Sequence, residues 1–406
     1  MDVQLSADQG DVIDRIAENQ GFHDFDVTAS PGSSKGDNYM GSGRDEPPKK
    51  LHLILKSASR SAKLRETIPI KKAYLREIYV YDTIFPAFES FLKEHDCPVR
   101  LSPHAKLLGS CVKDFEECVV LENLKEAGYD LWDRTTPMDW DHIALVLKEY
   151  GKFHAISLAM KEKDPELYEE LTKDLDNVFG KPEGEEEDEE KRKGFEAFMK
   201  KNVGNGIKAV KGNQKAVDAL ERFSDVVAKF MVDDIRAPED MLVVLHGDCW
   251  NNNMLFKYED PQAKRPSQVC LIDWQLSATG SPGMDLSYFL FTCAPKEILA
   301  DQEKCLRTYH DAASETLGGL GLDPESIYPF DLVEHHWKKY SRFGLYMALS
   351  LLKLMLSEGQ EVPDMAELAD SGEDLLDGFS YTSVNEDKYN QRVRDMMTVC
   401  VDNGWL

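Results

Sequence analysis

VVLHGDCWNNNML, residues 243–255, places an acid and several carboxamides directly behind an apolar run that is typical of a buried strand. Asp248 and Asn253 stand five positions apart in this stretch, and Asp273 follows a second apolar run in QVCLIDW, residues 268–274. Burying such polar groups without partners costs about 1–3 kcal/mol each. The three side chains must therefore either satisfy one another in turns or handle a ligand.

The chemistry of these three side chains suits phosphoryl transfer. A carboxylate at the start of a loop, such as Asp248, can orient a hydroxyl or accept its proton. The oxygens of Asn253 and Asp273 are hard ligands that suit Mg²⁺. The protein-kinase pattern His-Arg-Asp-x-x-x-x-Asn, followed by a metal-binding Asp, has the same order and spacing, although Gly247 here replaces the arginine. The alternatives are a turn pair, because Asp and Asn favour turns, and a metal-dependent hydrolase, for which the usual histidine ligands are missing.

Composition narrows the class of protein. A chain of 406 residues is too long for one small core and suits two lobes. Its 74 acidic against 48 basic residues give a net charge of −26, which repels nucleic acid and anionic membranes, so we expect neither as a partner. Eight scattered cysteines without a Cys-x-x-Cys pair favour reduced thiols and a cytoplasmic protein, which we expect to be a monomer.

Two further segments bear on the cellular location of the protein. The first twenty residues are polar and acidic, which predicts neither a secretory signal nor a transit peptide. The most apolar run, residues 343–356, is shorter than the roughly 20 residues of a membrane span and carries Lys353, so we expect a buried helix there.

Periodicity predicts a strand-rich first third followed by a helical remainder. The predicted elements are a helix at 11–19, a strand at 25–30, a Gly- and Ser-rich loop at 31–43, a strand at 51–56, a helix at 70–85 that Pro86 ends, and strands at 105–111 and 118–123. The charged block 183–193 is expected to be a solvated loop. This order favours an α+β protein with two lobes, namely a small antiparallel sheet with one helix (residues 1–124) and a larger, mainly helical part (residues 125–406), with a cleft between them.

Several stretches resemble one family. VLHGDCWNNNMLF and CLIDWQLSATGSPGMDLSYFL closely resemble the ecdysteroid kinase-like group of insects and other invertebrates, within the aminoglycoside phosphotransferase and choline kinase superfamily. GSSKGDNYM, LILK, AYLREIYVYDTIFPAF, VVLENLKEAGY and LVLKEYGKFHAISLA are similar to segments of that group in the same order, so the resemblance covers most of the chain. It implies a two-lobed protein-kinase-like fold that uses ATP and Mg²⁺.

The resemblance also implies roles for residues of this sequence. Asp248 would be the catalytic base, Asn253 and Asp273 would hold Mg²⁺, Lys56 would pair with the α- and β-phosphates, and Glu77 would hold Lys56 by an ion pair. Leu121, Glu122, Asn123 and Leu124 would line the adenine site, Gly32, Ser33 and Gly36 would contact phosphates, and Asp285 and His246 would brace the catalytic loop. From the residues alone, Lys56 is equally a lysine at the end of an edge strand, and Glu77 one charge on a solvated helix face beside Lys71, Lys72 and Arg76.

One segment departs from the family pattern. The family normally has a full strand between the glycine-rich loop and LHLILK, but this chain has GSGRDEPPKK, residues 41–50, whose glycines and prolines are poor strand residues. We therefore expect the small sheet to lack a member, which would leave the glycine-rich loop without its anchor and weaken nucleotide binding.

The function implied is an ATP- and Mg²⁺-dependent kinase that phosphorylates a hydroxyl of an ecdysteroid-like steroid or a related metabolite. A steroid buries mostly apolar area, so we expect an acceptor wall of aromatic and aliphatic residues. The candidates are Trp250, Trp274, Tyr288, Phe289 and the helix around 337–349. Two alternatives stay open, a choline- or aminoglycoside-type kinase with a cationic acceptor and a non-catalytic nucleotide-binding pseudokinase.

Overall fold

A computed structural model of the chain describes residues 5–22, 25–28, 42–43, 50–177, 189–232, 235, 241–260, 265–358, 361–372, 381 and 383–406. The strands in these ranges are β1 (Phe25–Asp26), β2 (Ser42–Gly43), β3 (Leu53–Ser57), β4 (Leu107–Cys111), β5 (Cys118–Glu122), β6 (Tyr129–Leu131), β7 (Val243–Leu245), β8 (Met254–Tyr258), β9 (Pro266–Leu271) and β10 (Ala278–Gly280).

The α-helices are α1 (Ala7–Asn19), α2 (Ala62–Thr67), α3 (Ile70–Tyr79), α4 (Phe85–Glu94), α5 (Trp140–Lys163), α6 (Pro165–Thr172), α7 (Glu189–Ala209), α8 (Gln214–Val232), α9 (Pro282–Cys293), α10 (Lys296–Ala300), α11 (Gln302–Gly319), α12 (Pro324–Ile327), α13 (Phe330–Leu356), α14 (Met365–Ser371) and α15 (Glu386–Asn403). Among the described residues, no helix combines the length and the apolar character needed to cross a membrane. The run 343–356 lies in α13, as predicted.

The N-terminal sheet has the strand order β3-β5-β4 and is antiparallel throughout. Its register places Lys56 opposite Val119. The amphipathic helix α1 covers one face, where Val12 and Ile16 pack with Leu55 of β3 in a separate small core. This cover keeps one apolar face of the three-stranded sheet out of water, and we expect it to stabilise β3, the strand that carries Lys56.

The prediction of an α+β fold with two lobes is confirmed, with a small antiparallel sheet followed by a mainly helical part. The single helix expected within residues 1–124 was wrong, because four helices, α1 to α4, occur there. A three-stranded sheet has two apolar faces, and α1 and α3 pack against it, whereas α2 packs against α14 and α4 against α5. The boundary between residues 124 and 125 stays a prediction.

The prediction that Pro86 ends the helix was wrong. Helix α3 passes through one π-helical turn, Val80–Ile84, and continues as α4 to Glu94. In this turn the N–H of Phe85 donates to the Val80 carbonyl, five residues back. Pro86 therefore stands in the first turn of α4, where its missing N–H costs little.

Two predictions about loops have mixed outcomes. Residues 42–43 do form a strand, but it is only two residues long and pairs with β1 in a ladder separate from β3-β5-β4. Residues 44–49 and Gly32, Ser33 and Gly36 lie outside the described residues. The solvated loop expected at 183–193 was wrong for its second part, since residues 189–193 begin α7, whose Glu and Lys side chains suit an exposed helical turn.

The second half of the chain interleaves two pairs of strands. β7 pairs with β10, and β8 pairs with β9, both antiparallel. The connection 246–253 joins β7 to β8, and the connection 272–277 joins β9 to β10. This interleaving places the two polar stretches of the sequence side by side, although about twenty residues separate them along the chain.

A glycine allows the two core helices beneath these loops to touch. A Cβ atom added at Gly344 of α13 would lie 2.3 Å from the carbonyl carbon of Ser287 in α9. No neighbour lies within 4 Å of the equivalent position at Gly204 of α7.

We expect Gly344→Ala to lower the free energy of unfolding by about 1–3 kcal/mol, because backbone in α9 cannot yield to the added methyl group. Gly204→Ala is the matched control and should leave it unchanged or raise it by up to about 1 kcal/mol, because alanine favours a helix. Urea denaturation of both variants measures the difference. Equal stability of the two would show that the helices can separate at no cost.

Candidate active site

The loop after β7 requires a glycine at position 247. Gly247 has φ +83°, and a Cβ atom there would lie 2.2 Å from the carbonyl oxygen of Leu276 in the neighbouring loop. Any side chain would push the two loops apart. This contact explains why glycine stands where the protein-kinase pattern has arginine.

Asp248 is held by hydrogen bonds to both carboxylate oxygens. The Tyr288 hydroxyl donates to Oδ1 at 2.8 Å, and Oδ2 accepts from Trp250 Nε1 at 3.1 Å and from Asn253 Nδ2 at 2.7 Å. Burial and the negative charge of Asp273 raise the pKa of Asp248 to about 6, against the opposing effect of these three donors. The carboxylate is therefore fixed in direction and more basic than an exposed aspartate.

The orientation of Asn253 follows from the same contacts. Its Nδ2 donates to the backbone oxygen of Asp248 at 3.0 Å as well as to the carboxylate. Both protons of the amide are used in this way, so the amide oxygen is the atom that remains for a cation. The side chain is buried, which restricts it to this orientation.

Lys56 joins two carboxylates from different parts of the chain. Its Nζ lies 2.9 Å from Glu77 Oε2 and 2.6 Å from Asp273 Oδ1. Burial by itself would lower the pKa of Lys56, but the charges of Asp273 and Glu77 outweigh it and raise that pKa. Glu77 is 1% exposed, so the solvated-face interpretation of Glu77 was wrong. Lys56 does lie near the end of an edge strand, β3, but its ammonium group is paired with two carboxylates.

Asp273 adopts a backbone conformation that is unusual for its residue type. Its φ of +64° lies in the left-handed region, which costs a residue other than glycine about 1–2 kcal/mol. The 3₁₀ turn Trp274–Leu276 follows at once. Such strain is typical of a functional residue whose direction matters more than its local stability.

The segment predicted to line the adenine site ends the N-terminal sheet. Leu121 and Glu122 pair with Ile54 and Leu53 of β3, and Leu124 begins a 3₁₀ turn. The N–H of Glu122 donates to the Lys106 carbonyl at 3.0 Å.

Asn123 is bound into the same segment. Its N–H donates to the His52 carbonyl at 3.2 Å, and its side chain accepts from the N–H of Lys125 at 3.1 Å. A bound base would therefore need other backbone groups than the N–H groups of residues 122 and 123.

Asp285, on α9, supports the loop of residues 246–253 that holds Asp248. It is 1% exposed, and it accepts the N–H of His246 at 2.7 Å on Oδ2 and the N–H of Gly247 at 3.0 Å on Oδ1. His154 Nε2 lies 3.3 Å from Oδ2. Burial by itself would raise the pKa of Asp285, but the hydrogen bond and charge of His154 outweigh it and lower that pKa.

His246 has the contacts of a structural histidine. Its Nε2 lies 3.0 Å from the Ile272 carbonyl, and its Nδ1 accepts the N–H of Asp248 at 3.2 Å. This pattern fits a neutral imidazole, and burial lowers the pKa of His246 accordingly. The side chain links the two polar loops and leaves no ring nitrogen for proton transfer.

Comparison with known proteins assigns the chain to a protein family. The model of the ecdysteroid kinase-like family matches residues 38–322, which is well over half of the chain. The chain belongs to the ecdysteroid kinase-like family. The match begins after Gly32, Ser33 and Gly36 and ends before the helix around 337–349, and it includes the other residues singled out in the sequence as part of the site.

Similar proteins outside this family model are kinases. A 4-hydroxytryptamine kinase of Psilocybe cubensis is 34% identical over 67 residues, which are 16% of this chain and 18% of that protein. Its counterpart from Psilocybe cyanescens is 31% identical over 68 residues, 17% of this chain and 18% of that protein. The chain thus spans about a fifth of the length of these curated relatives.

Solved structures with similar folds have low identity. The ethanolamine kinase of Plasmodium vivax is 13% identical with a TM-score of 0.42, covering 98% of this chain and 86% of that chain. A choline kinase of Streptococcus pneumoniae is 13% identical with a TM-score of 0.35, covering 97% of this chain and 100% of that chain. At TM-scores below 0.5 these similarities carry no information about the acceptor.

In this ecdysteroid kinase-like chain, the aromatic residues predicted to form the acceptor wall fall into two groups, one in the core and one beside Asp248. Trp274 is 1% exposed, and its ring centroid lies 4.4 Å from that of His246 and 5.0 Å from that of Phe153. Phe289 is fully buried beside Tyr150. Assigning Trp274 and Phe289 to the acceptor wall was wrong, because both are core residues.

The other wall candidates lie beside Asp248. Trp250 and Tyr288 both donate to its carboxylate, and the ring of Tyr288 meets that of Phe343 edge to face at 6.2 Å. Phe343 belongs to α13, within the helix predicted around 337–349. Tyr288 is 1% exposed, as buried as Trp274, so its assignment to the acceptor wall was wrong as well; Trp250 and Phe343, which are partly exposed, remain candidates for contact with an acceptor.

His154 was missed in the sequence. It lies on the buried face of α5, and its other ring nitrogen, Nδ1, is 3.1 Å from the Tyr309 hydroxyl. Its position on an apolar helix face gave no sign of this link, since its partner Asp285 is 131 positions away. Only packing of α5 against α9 brings the two together.

The metal prediction rests on two residues. Across the part of the chain that the structure describes, no group of three or more His, Cys, Asp or Glu side chains forms a ready metal site. Mg²⁺ in nucleotide sites is usually bound by one or two protein oxygens together with phosphates and water. The amide oxygen of Asn253 and the carboxylate of Asp273 fit that donor set.

We expect Asp285→Asn to lower the free energy of unfolding by about 1–3 kcal/mol at pH 7, because an amide accepts through one oxygen only and its NH₂ would face backbone donors. The lowered pKa of Asp285 means that its contribution is present above the ordinary aspartate pKa of about 4 and is lost as the pH falls through the lower folded value. The difference between wild type and variant should therefore shrink below about pH 4. Urea denaturation at pH 7 and at acid pH measures both, and a difference that grows on acidification would contradict this role.

Proposed function

We propose that the chain is an ATP- and Mg²⁺-dependent kinase that transfers the γ-phosphate to a hydroxyl of a small molecule. The observation that carries this proposal is the convergence of Lys56, Glu77 and Asp273, with Lys56 Nζ within 2.9 Å of both carboxylates. Phosphoryl transfer requires little covalent chemistry from the protein, and it depends on positioned charges and an oriented nucleophile.

Each residue has a role in this proposal. Asp248 orients the acceptor hydroxyl and accepts its proton, and the three donors around it keep its carboxylate in one direction. The amide oxygen of Asn253 and the carboxylate of Asp273 would hold Mg²⁺, which neutralises phosphate charge when bound. Lys56 carries positive charge toward the α- and β-phosphates, while Glu77 limits its motion.

The remaining nucleotide contacts come from the N-terminal part of the chain. Backbone groups of residues 121–124 would receive the adenine, with the carbonyls and the N–H of Leu124 as candidates. Gly32, Ser33 and Gly36 would cover the phosphates, as the family resemblance implies. We also propose that the protein acts in the cytoplasm, because all eight cysteines are free thiols, and that it is a monomer.

We propose an ecdysteroid-like steroid alcohol, or a related hydroxylated metabolite, as the acceptor. Trp250, which is partly exposed, donates to the carboxylate of Asp248, and the partly exposed Phe343 of α13 packs on the buried Tyr288 ring, which donates to the same carboxylate. Flat aromatic side chains contribute large apolar area to such a contact. The curated relatives are named for 4-hydroxytryptamine, an aromatic alcohol, which therefore belongs among the compounds to test.

Asp248→Asn should lower kcat by about 10²- to 10⁴-fold, because the amide cannot accept the proton of the hydroxyl. The change keeps the shape of the side chain, and its NH₂ can face the Tyr288 oxygen, so the melting temperature and the KM for ATP should stay close to wild type. Steady-state kinetics and thermal denaturation measure these quantities. A variant with wild-type kcat would remove Asp248 from the mechanism.

Mass spectrometry on a mixed pool of alcohols identifies the acceptor. Wild type with Mg-ATP should add phosphate to an ecdysteroid in a pool that also holds 4-hydroxytryptamine, choline and an amino sugar. Excess EDTA should abolish the product, because Asn253 and Asp273 alone cannot neutralise the phosphates. Phosphocholine as the main product would support the cationic-acceptor alternative, and a thermal shift with Mg-ATP but no product from any alcohol would support the pseudokinase.

A further inference from the structure

Arg76 precedes Glu77 on α3 and is 5% exposed. Its guanidinium donates from Nη1 to the carbonyls of Asp176, at 2.8 Å, and Ser277. From Nη2 it donates to the carbonyl of Asp174 at 2.7 Å and to Asp176 Oδ1 at 2.9 Å. A charged residue is rarely buried unless its donors are satisfied, and here four hydrogen bonds use the four Nη protons of the guanidinium.

The Ser277 carbonyl ties this guanidinium to both polar loops. Ser277 lies four residues after Asp273 in the same connection. Its hydroxyl donates at 2.7 Å to the carbonyl of Leu245, the last residue of β7, directly before the loop that holds Asp248. A chain of two hydrogen bonds therefore links Arg76 to the start of the catalytic loop.

The second acceptor segment, residues 174–176, is anchored to the same place. The N–H of Thr279 in β10 donates to the Leu175 carbonyl at 2.8 Å, and Thr279 pairs with Val244 of β7. Both groups of carbonyls that receive Arg76 are thus fixed to the β7–β10 ladder. The guanidinium connects α3 to that ladder and not to a loose loop.

The neighbours of Arg76 along α3 reinforce this contact. Lys72 and Tyr79 lie on the same side of the helix, at helical spacing from Arg76. Lys72 Nζ is 2.7 Å from Asp176 Oδ2, and the Tyr79 hydroxyl donates to the Leu171 carbonyl at 3.0 Å. Glu77 instead contacts Lys56, so α3 binds the body of the protein on one side and the site on another.

We propose that Arg76 is a positioning residue that clamps α3 to the β7–β10 ladder and so holds Glu77 and Lys56 at Asp273. This inference rests on the kinase function proposed above. In kinase-like sites the Lys–Glu pair depends on the position of the helix that carries the glutamate. Here buried hydrogen bonds set that position, so the site is assembled without a separate activating event.

The test compares Arg76→Met, Glu77→Gln and the double variant. Arg76→Met should lower kcat/KM for ATP by about 10- to 100-fold, because a shift of about 1 Å at the phosphates is costly. The KM for the acceptor should change by less than about 2-fold, since Asp248 is held by other contacts. If Arg76 acts through Glu77, the double variant should be no slower than Glu77→Gln alone.

A second readout does not depend on turnover. Hydrogen exchange should show faster exchange of the α3 amides in Arg76→Met than in wild type. Arg134→Met is the matched control, because Arg134 also donates to three backbone carbonyls, those of Leu354, Met355 and Ser357, but at the end of α13. It should leave both α3 exchange and the KM for ATP unchanged. Arg76→Lys keeps the positive charge and should recover part of the lost kcat/KM for ATP and part of the protection of the α3 amides. It also allows the test to be made if Arg76→Met does not fold.

Two results would overturn the proposal. The first is a double variant whose loss in kcat/KM for ATP equals the product of the losses of Arg76→Met and Glu77→Gln, which would show that the two residues act independently. The second is unchanged hydrogen exchange of the α3 amides in both Arg76 variants, which would show that other contacts hold the helix. Absence of turnover by wild type with every alcohol rejects the kinase function instead, and the exchange of α3 then decides the role of Arg76 alone.

Discussion

The Lys56 ammonium group contacts Glu77 at 2.9 Å and Asp273 at 2.6 Å, and these contacts join β3, α3 and the loop after β9. Glu77 is almost fully buried. A buried carboxylate without a cation would cost several kcal/mol, so the elements must meet where one lysine can serve both acids. Much of the surrounding structure keeps this meeting point in place. Helix α1 covers the sheet that carries Lys56, and the contacts of Arg76 hold the helix that carries Glu77.

In the loop that holds Asp248, burial of a carboxylate lowers the stability of the fold, whereas the contacts around Lys56 raise it. Burial raises the pKa of Asp248, so the folded protein disfavours the anion that the proposed role of Asp248 as a base requires. Three hydrogen-bond donors partly offset this cost and fix the direction of the carboxylate. Gly247 and Asp273 both have positive φ values, and Asp285 supports the loop from below. The left-handed backbone of Asp273 and the raised pKa of Asp248 thus occur in two neighbouring loops that the β7–β10 ladder and helix α9 support.

Local sequence patterns predicted the three strands of the N-terminal sheet and helices α1, α3 and α13, because periodicity reports the face that each element buries, but they did not predict the short strands β6 and β10. Predictions from local patterns were wrong where contacts or backbone geometry outside the pattern decided the outcome. Pro86 did not end its helix, because a π-helical turn moved it into the first turn of the next helix. Trp274 and Phe289 were assigned to a ligand wall, since the sequence shows that a residue is aromatic but not whether its ring faces the core.

From the sequence alone follow the two-lobed α+β class, the family, and the six ionisable or amide side chains at 56, 77, 248, 253, 273 and 285 as candidates for the site. Positions 248, 253 and 273 follow from residue type and spacing along the chain, whereas positions 56, 77 and 285 follow from the resemblance to the family. The roles of His154 and Arg76 do not follow from it. Their partners lie about 100 to 200 positions away along the chain. The local sequence around a helical histidine or arginine does not show whether its side chain faces water or a buried acceptor. Packing of α5 against α9, and of α3 against the β7–β10 ladder, settles which of these they face.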